Sequence, residues 1–161
     1  MGQTSSPQML ILGLGNPLSG DDGFGARVLE LLHRDGTESL PGVSLIDAHT
    51  DLLNHIESFL TCDRVVLIDA ILDPEYKLGK PGQVVVLHEK AFLSWPEASP
   101  SVHQMSPVLA VKLFRQLYPA AQTQVHLVGL LVDQLTRAPR YATEDRIREA
   151  AAAISALVNA Q

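Results

Sequence analysis

Five short apolar segments, separated by stretches with helical spacing, constrain the fold of this chain more than any other feature. The predicted strands cover residues 9–14, 43–48, 65–70, 82–88 and 125–132. The predicted helices begin near Asp21, Asp51, Ser106 and Thr143. This alternation is typical of a three-layer α/β domain with a mostly parallel five-stranded sheet and helices on both faces.

The length of the chain bounds the number of domains. A chain of 161 residues fits one compact domain, so we expect a single domain over 1–161. Residues 1–7 are expected to be a flexible leader. Residues 89–105 contain two prolines, Pro96 and Pro100, and one tryptophan, and we expect a surface loop there.

Charge and cysteine content narrow the class of protein. A formal net charge of −6 argues against binding to nucleic acid phosphates, which requires a basic surface. The single cysteine, Cys62, excludes a disulfide framework and indicates a reducing compartment. No apolar run approaches the ~18 residues of a membrane span. We therefore expect a cytoplasmic protein that binds neither nucleic acids nor membranes, and we expect a monomer.

Polar residues follow the predicted strands at the edge where α/β sheets bind ligands, beyond the carboxyl ends of the strands. These candidates are Asn16, Asp21, Asp22, Asp47, His49, Asp69 and Asp73, with His103 and Gln104 in the loop before the third main helix. Two carboxylates and one imidazole from separate segments can form a metal site that leaves coordination positions open. The strand ends therefore indicate a cation site.

The candidates differ in how well a purely structural role explains them. Asp69 ends a wholly apolar strand, where a carboxylate is costly to bury unless it is paired or binds a cation. Asp21 is predicted to cap the first helix. Asp22 either faces the ligand-binding cleft expected at the strand ends, or is favoured there only by the dipole of the first helix. On position alone, His103 is an ordinary surface histidine, and Cys62 is a small apolar filler.

Common nucleotide and hydrolase motifs are absent from the sequence. A dinucleotide-binding turn beginning at Gly13 and Gly15 would need a third glycine, but Leu18 occupies that position. Asp21 and Asp22 would repel a pyrophosphate at the start of the helix. The chain has neither a Gly-Lys-Ser/Thr phosphate loop nor a Gly-x-Ser-x-Gly elbow. The local charge therefore suits a cation better than an anion.

The segment at 13–25, Gly-Leu-Gly-Asn-Pro-Leu-Ser-Gly-Asp-Asp-Gly-Phe-Gly, resembles the opening signature of hydrogenase maturation endopeptidases. The resemblance continues through Ile68-Asp69-Ala70, His103-Gln104 and Val128-Gly129-Leu130. It implies a metal-dependent endopeptidase that removes the C-terminal extension of a nickel–iron hydrogenase large-subunit precursor after nickel insertion. The large-subunit precursor is therefore the expected partner.

The resemblance also implies the residues of the site. The metal-contacting positions of the family fall on Asp22, Asp69 and His103. The ion is expected to be nickel supplied by the substrate, with no organic cofactor. The resemblance does not identify the catalytic residues that cut the peptide bond. This chain reads Asp47-Ala48-His49-Thr50 where the family often has Asp-Gly-Gly-Thr. The resemblance associates this segment with the choice of hydrogenase, so Asp47 and His49 are candidates for substrate recognition. Asn16, which follows the first strand, is a third candidate.

Two other functions fit parts of the sequence. Peptidyl-tRNA hydrolases also have a strand leading into Gly-Leu-Gly-Asn-Pro, but this chain continues with Asp-Asp-Gly-Phe-Gly, and its acidic balance disfavours tRNA. A non-catalytic nickel-binding chaperone module could use the same two carboxylates and histidine. Cleavage of a nickel-loaded large subunit distinguishes the protease from the chaperone.

Overall fold

The computed structural model describes residues 8–95 and 106–160. Its strands are β1 (Met9–Leu14), β2 (Val43–His49), β3 (Arg64–Leu72), β4 (Val84–His88) and β5 (Gln124–Val132). Its α-helices are α1 (Phe24–Arg34), α2 (Glu89–Leu93), α3 (Pro107–Leu117) and α4 (Glu144–Asn159). Three further 3₁₀ segments cover Gly20–Gly23, Thr37–Ser39 and Leu52–Thr61. The five predicted strands are confirmed.

The predicted surface loop at 89–105 is wrong in its first part. Residues Glu89–Leu93 form the short helix α2, and Phe92 is completely buried within it. The apolar side chain at this position packs into the core and supplies the driving force for the turn of helix. Residues 96–105, which include His103, lie outside the described residues.

The strands form one sheet in the order β2-β1-β3-β5-β4. The pairs of β1 with β2, β1 with β3 and β3 with β5 are parallel, whereas β4 lies antiparallel to β5 at the edge. From β1 the chain moves to β2 on one side, then crosses back to β3 on the other side. This reversal places a topological switch point between the ends of β1 and β3, where α/β sheets bind ligands.

Apolar side chains of the inner strands alternate between two cores. Met9 and Ile11 of β1 belong to the core shared with α1 and α4. Leu10 and Leu12 belong to the opposite core, shared with α2, α3 and the 3₁₀ segment Leu52–Thr61. Both faces of the sheet are thus covered, as the continuous apolar runs predict. In the parts of the chain that the structure describes, no helix is long and apolar enough to cross a membrane.

Candidate functional site

Close packing of α1 against the sheet places its first turn over the switch point. A Cβ at Gly25 would lie 2.5 Å from the carbonyl oxygen of Leu14 and 2.6 Å from that of Ile68. A Cβ at Gly13 would lie 2.8 Å from the carbonyl oxygen of Gly25. Only glycine permits this approach of helix and strands. The 3₁₀ segment Gly20–Gly23 and its two aspartates therefore lie directly at the ends of β1 and β3.

The turn after β1 wraps around Asp22. The backbone N–H of Asn16 donates to Asp22 Oδ2 at 2.8 Å, and Asn16 Oδ1 accepts from the N–H of Leu18 at 3.0 Å. Gly15 has a φ of 97°, and a Cβ there would lie 2.1 Å from the carbonyl oxygen of Asp22. Asn16 thus stabilises the turn that holds Asp22, while its role in substrate recognition stays a prediction.

Asp69 occupies the matching position on β3. Its Oδ1 accepts a hydrogen bond from the N–H of Ala70 at 2.9 Å. Burial, the main cause, and the negative charge of Asp22 together raise the pKa of this carboxyl to about 8, against the opposing effect of the Ala70 N–H. The 3₁₀ segment that carries Asp22 contacts β3. The structure therefore brings these two predicted metal ligands into one electrostatically coupled pair.

The two coupled carboxylates lie at the carboxyl ends of inner strands, and such a pair suits a cation. Each negative charge destabilises the other in a partly desolvated place, and a bound cation removes that repulsion. Carboxylate oxygens also leave the choice of further ligands open. Within 8–95 and 106–160 no group of three His, Cys, Asp or Glu side chains forms a metal site. The third predicted ligand, His103, is outside those ranges, so the complete triad stays a prediction.

Asp47 and His49 are the last polar residues of β2, and they lie at the same end of the sheet as the carboxyl ends of β1 and β3. Asp47 Oδ1 accepts from the N–H of His49 at 3.2 Å and lies 3.4 Å from His49 Nδ1. His49 has a left-handed φ of 49°, and its carbonyl oxygen accepts from the N–H of Gly15 at 2.7 Å. The imidazole is more than half exposed. This carboxylate–imidazole pair is thus fixed to the turn that holds Asp22.

The predicted helix-capping role of Asp21 is wrong. Asp21 is completely buried, and its Oδ1 accepts three backbone N–H groups, from Arg140 at 2.9 Å, Tyr141 at 2.8 Å and Ala142 at 2.8 Å. Ser19 holds the N-cap position of the 3₁₀ segment, without a side-chain hydrogen bond. Because Asp21 is enclosed, it does not face the cleft, and it serves to hold the Asp22 turn against a distant segment.

Sequence reasoning missed the segment 136–142 beside the site. A Cβ at Gly20, which has a φ of 57°, would lie 2.0 Å from the carbonyl oxygen of Thr136. Together with the three bonds to Asp21, this contact fixes the segment against the turn that carries Asp22. The partners are about 120 residues apart in the chain. The groups that bind Asp21 belong to the backbone, and almost any residue type supplies such an N–H. No local sequence pattern therefore predicts this contact.

Fold and site together define a class of protein: an α/β domain with coupled carboxylates at the switch point of its sheet. The family model described as hydrogenase maturation protease, HycI, matches residues 26–158 of this chain. The chain belongs to the hydrogenase maturation protease family. The matched range includes Asp69 and His103 and begins after Asp22, which lies in the glycine-rich opening segment.

Individual relatives agree with this assignment. The hydrogenase expression/formation protein HupD of Rhizobium leguminosarum bv. viciae is 31% identical over 128 residues, 78% of this chain and 61% of that protein. HupM of Azotobacter chroococcum mcd 1 is 35% identical over 129 residues, 78% and 58% respectively. The chain thus spans about three fifths of the length of these curated relatives.

A solved structure gives the same fold. The hydrogenase maturating endopeptidase HybD from E. coli superposes with a TM-score of 0.73 at 22% identity. The match covers 94% of this chain and 92% of that one. The five-stranded, mostly parallel sheet with helices on both faces is therefore confirmed.

Proposed function

We propose that this chain is an endopeptidase that removes the C-terminal extension of a nickel–iron hydrogenase large-subunit precursor. The family supports a peptidase that acts in hydrogenase maturation. The observation that carries the proposal is the coupled pair of carboxylates, Asp22 and Asp69, at the switch point between β1 and β3. In this proposal Asp22, Asp69 and His103 contact the nickel that the precursor already holds.

The charge of the pair supports recognition of a substrate-borne cation. Asp22 and Asp69 are held by backbone N–H groups from Asn16 and Ala70, so their geometry exists before any substrate binds. A nickel ion on the precursor would displace the proton that Asp69 keeps below about pH 8 and would pair with both carboxylates. A precursor without nickel offers no such gain. Preorganised carboxylates therefore favour the nickel-loaded precursor by a difference in affinity.

Asp47 and His49 are proposed to contact the precursor beside the ion. Both lie at the end of β2, and the hydrogen bond between Gly15 and the His49 carbonyl connects them to the Asp22 turn. The imidazole is exposed and positioned by the neighbouring carboxylate. Asn16 is proposed to contribute to recognition indirectly, because its hydrogen bonds fix the conformation of the turn that holds Asp22.

The decisive experiment compares two forms of one precursor. The purified protein is mixed with nickel-loaded and nickel-free large-subunit precursors, and the products are weighed by mass spectrometry. We expect cleavage of the nickel-loaded form alone. Equal cleavage of both forms would remove the role of nickel. Cleavage of neither, with retained binding to the loaded precursor, would indicate the chaperone module instead.

Matched variants test the assigned residues. Asp22→Asn and Asp69→Asn keep the shape of the side chain but remove its charge, and we expect both to abolish processing while the circular dichroism spectrum is kept. Asp35→Asn is the control, because Asp35 is an exposed carboxylate at the end of α1. Full processing by either site variant would refute the assignment.

A further inference from the structure

A second cleft lies at the opposite end of the sheet from Asp22 and Asp69. It has a volume of about 770 Å³, and its lining includes Arg64 at the start of β3 and His126 near the start of β5. Arg64 and Asp69 are five residues apart on one strand, which separates them by about 16 Å at the rise of a β-strand. This volume lies within the range of small-molecule sites. The cleft is therefore separate from the carboxylate site.

Within the described ranges, His126 contributes an unpaired, buried ring nitrogen beside this cleft. The residue is only 4% exposed, and its Nδ1 is buried without a hydrogen-bond partner among the residues that the structure describes. His88, its direct partner across the antiparallel β4–β5 pair, stacks edge-on with a ring-centroid separation of 4.7 Å. Buried polar atoms in native proteins are almost always paired. Nδ1 itself is inaccessible with the ring as it stands, so a group in the cleft becomes its partner when the imidazole turns toward the cleft.

The charges around the cleft select the type of ligand. Glu89 and Arg115 neutralise each other through two hydrogen bonds of 2.6 Å. One guanidinium N–H of Arg64 donates a hydrogen bond to the Leu157 carbonyl oxygen. In the described parts of the chain Lys90 has no ion pair. Arg64 and Lys90 thus give the lining a positive surplus, although the whole chain carries −6.

The state of His126 agrees with a positive cleft. Burial lowers the pKa of this imidazole, and the positive charges of His88 and Arg64 lower it further. A metal cation would meet the same repulsion from Arg64. An anion would be attracted instead and could accept hydrogen bonds from the guanidinium and an imidazole N–H. Leu93 and Leu157 provide an apolar wall beside these groups.

We propose that this cleft binds a small organic oxyanion, a carboxylate or a phosphate monoester, through Arg64, Lys90 and the His88–His126 pair. The anionic head lies between the guanidinium and the two imidazoles, and the apolar part of the ligand lies against Leu93. The site does not depend on the peptidase activity proposed above, since no residue is shared between the two sites.

Phenyl phosphate and benzoate are the test probes, and benzylamine is the cationic control of similar size. NMR follows the imidazole resonances of His88 and His126 during each titration. We expect saturable shifts with phenyl phosphate or benzoate and none with benzylamine. The tighter of the two anions identifies the head group. Absence of saturable shifts with both anions would overturn the proposal, and so would equal shifts with benzylamine.

Two variants confine the effect to the cleft. Arg64→Ala is expected to weaken anion binding about tenfold or more, since it removes a charged hydrogen-bond donor. Arg64→Ala also removes the hydrogen bond to the Leu157 carbonyl, so a second variant is needed that keeps the fold. Lys90 is exposed, and Lys90→Ala should weaken anion binding without a loss of structure. Arg34→Ala is the control at an exposed arginine outside the cleft. Equal weakening by Arg34→Ala would show non-specific attraction and refute the site.

Discussion

Asp69→Asn should make the metal-free protein more stable at neutral and alkaline pH. Asp69 has a pKa of about 8 in the folded protein, against 3.8 for an unperturbed carboxyl, and burial is the main cause. Asparagine keeps the Oδ1 that accepts from the Ala70 N–H. The substitution therefore removes the ionisable proton and the charge while it retains the local hydrogen bond.

The sign and size of the effect follow from proton linkage. Because the folded-state pKa is raised, the stabilisation from this proton is complete below pH 3.8 and is lost as the pH rises through about 8. Between these values each pH unit costs the folded protein about 1.4 kcal/mol relative to the unfolded chain. At pH 7 the sum is about 4 kcal/mol, and solvent contact of the carboxyl reduces the expected gain to about 2–4 kcal/mol.

Urea unfolding in chelator-containing buffer measures this prediction at about pH 4.5 and about pH 8. The stability difference between Asp69→Asn and the parent protein should be small at the acidic pH and should reach its full size at the alkaline pH. Asp35→Asn should show no such increase. Carboxyl NMR of Asp22→Asn should also reveal a lower pKa for Asp69, since one negative neighbour is removed. A difference that is constant or shrinks as the pH rises would refute the reasoning.

Three further changes test the fold around the two sites. Asp21→Ala should destabilise the protein by about 3 kcal/mol or more, because three backbone donors at 140–142 lose their acceptor, and hydrogen exchange of those amides should accelerate. Gly25→Ala should destabilise more than Gly36→Ala in thermal unfolding, since its Cβ meets backbone atoms at 2.5 Å, whereas that of Gly36 meets none within 4 Å. Because the folded-state pKa of His126 is lowered, the parent should lose stability relative to His126→Phe as the pH falls below 6.5, measured by urea unfolding.

The fold was predictable because its main signals are local. Apolar runs mark the strands, and the inner strands are covered on both faces, so the runs are continuous. Ser106 and Pro107 mark the start of α3, where Ser106 Oγ accepts from the N–H of Leu109. The short helix α2 was missed because its five residues span little more than one turn, too few for a period.

The site was predictable only in part, because its geometry depends on contacts between distant segments. Asp69 was identifiable, since a carboxylate at the end of an apolar strand needs a reason to be there. Asp21 and Asp22 look equivalent in the sequence, yet one is enclosed by the backbone of 140–142 and the other pairs electrostatically with Asp69. Which of two adjacent aspartates faces the crevice is decided by the fold of a segment about 120 residues away.

His49 shows how stability and recognition diverge at this edge of the sheet. Glycine, which the resemblance implies at this position of an Asp-Gly-Gly-Thr segment, adopts a left-handed backbone without penalty. His49 adopts a φ of 49°, which costs of order 1 kcal/mol for a residue with a side chain. The hydrogen bond from Gly15 to its carbonyl holds the backbone in this conformation, and Asp47 orients the ring. This conformation lowers stability and leaves the imidazole exposed, so packing does not explain His49, and the proposed contact with the precursor offers a reason for it.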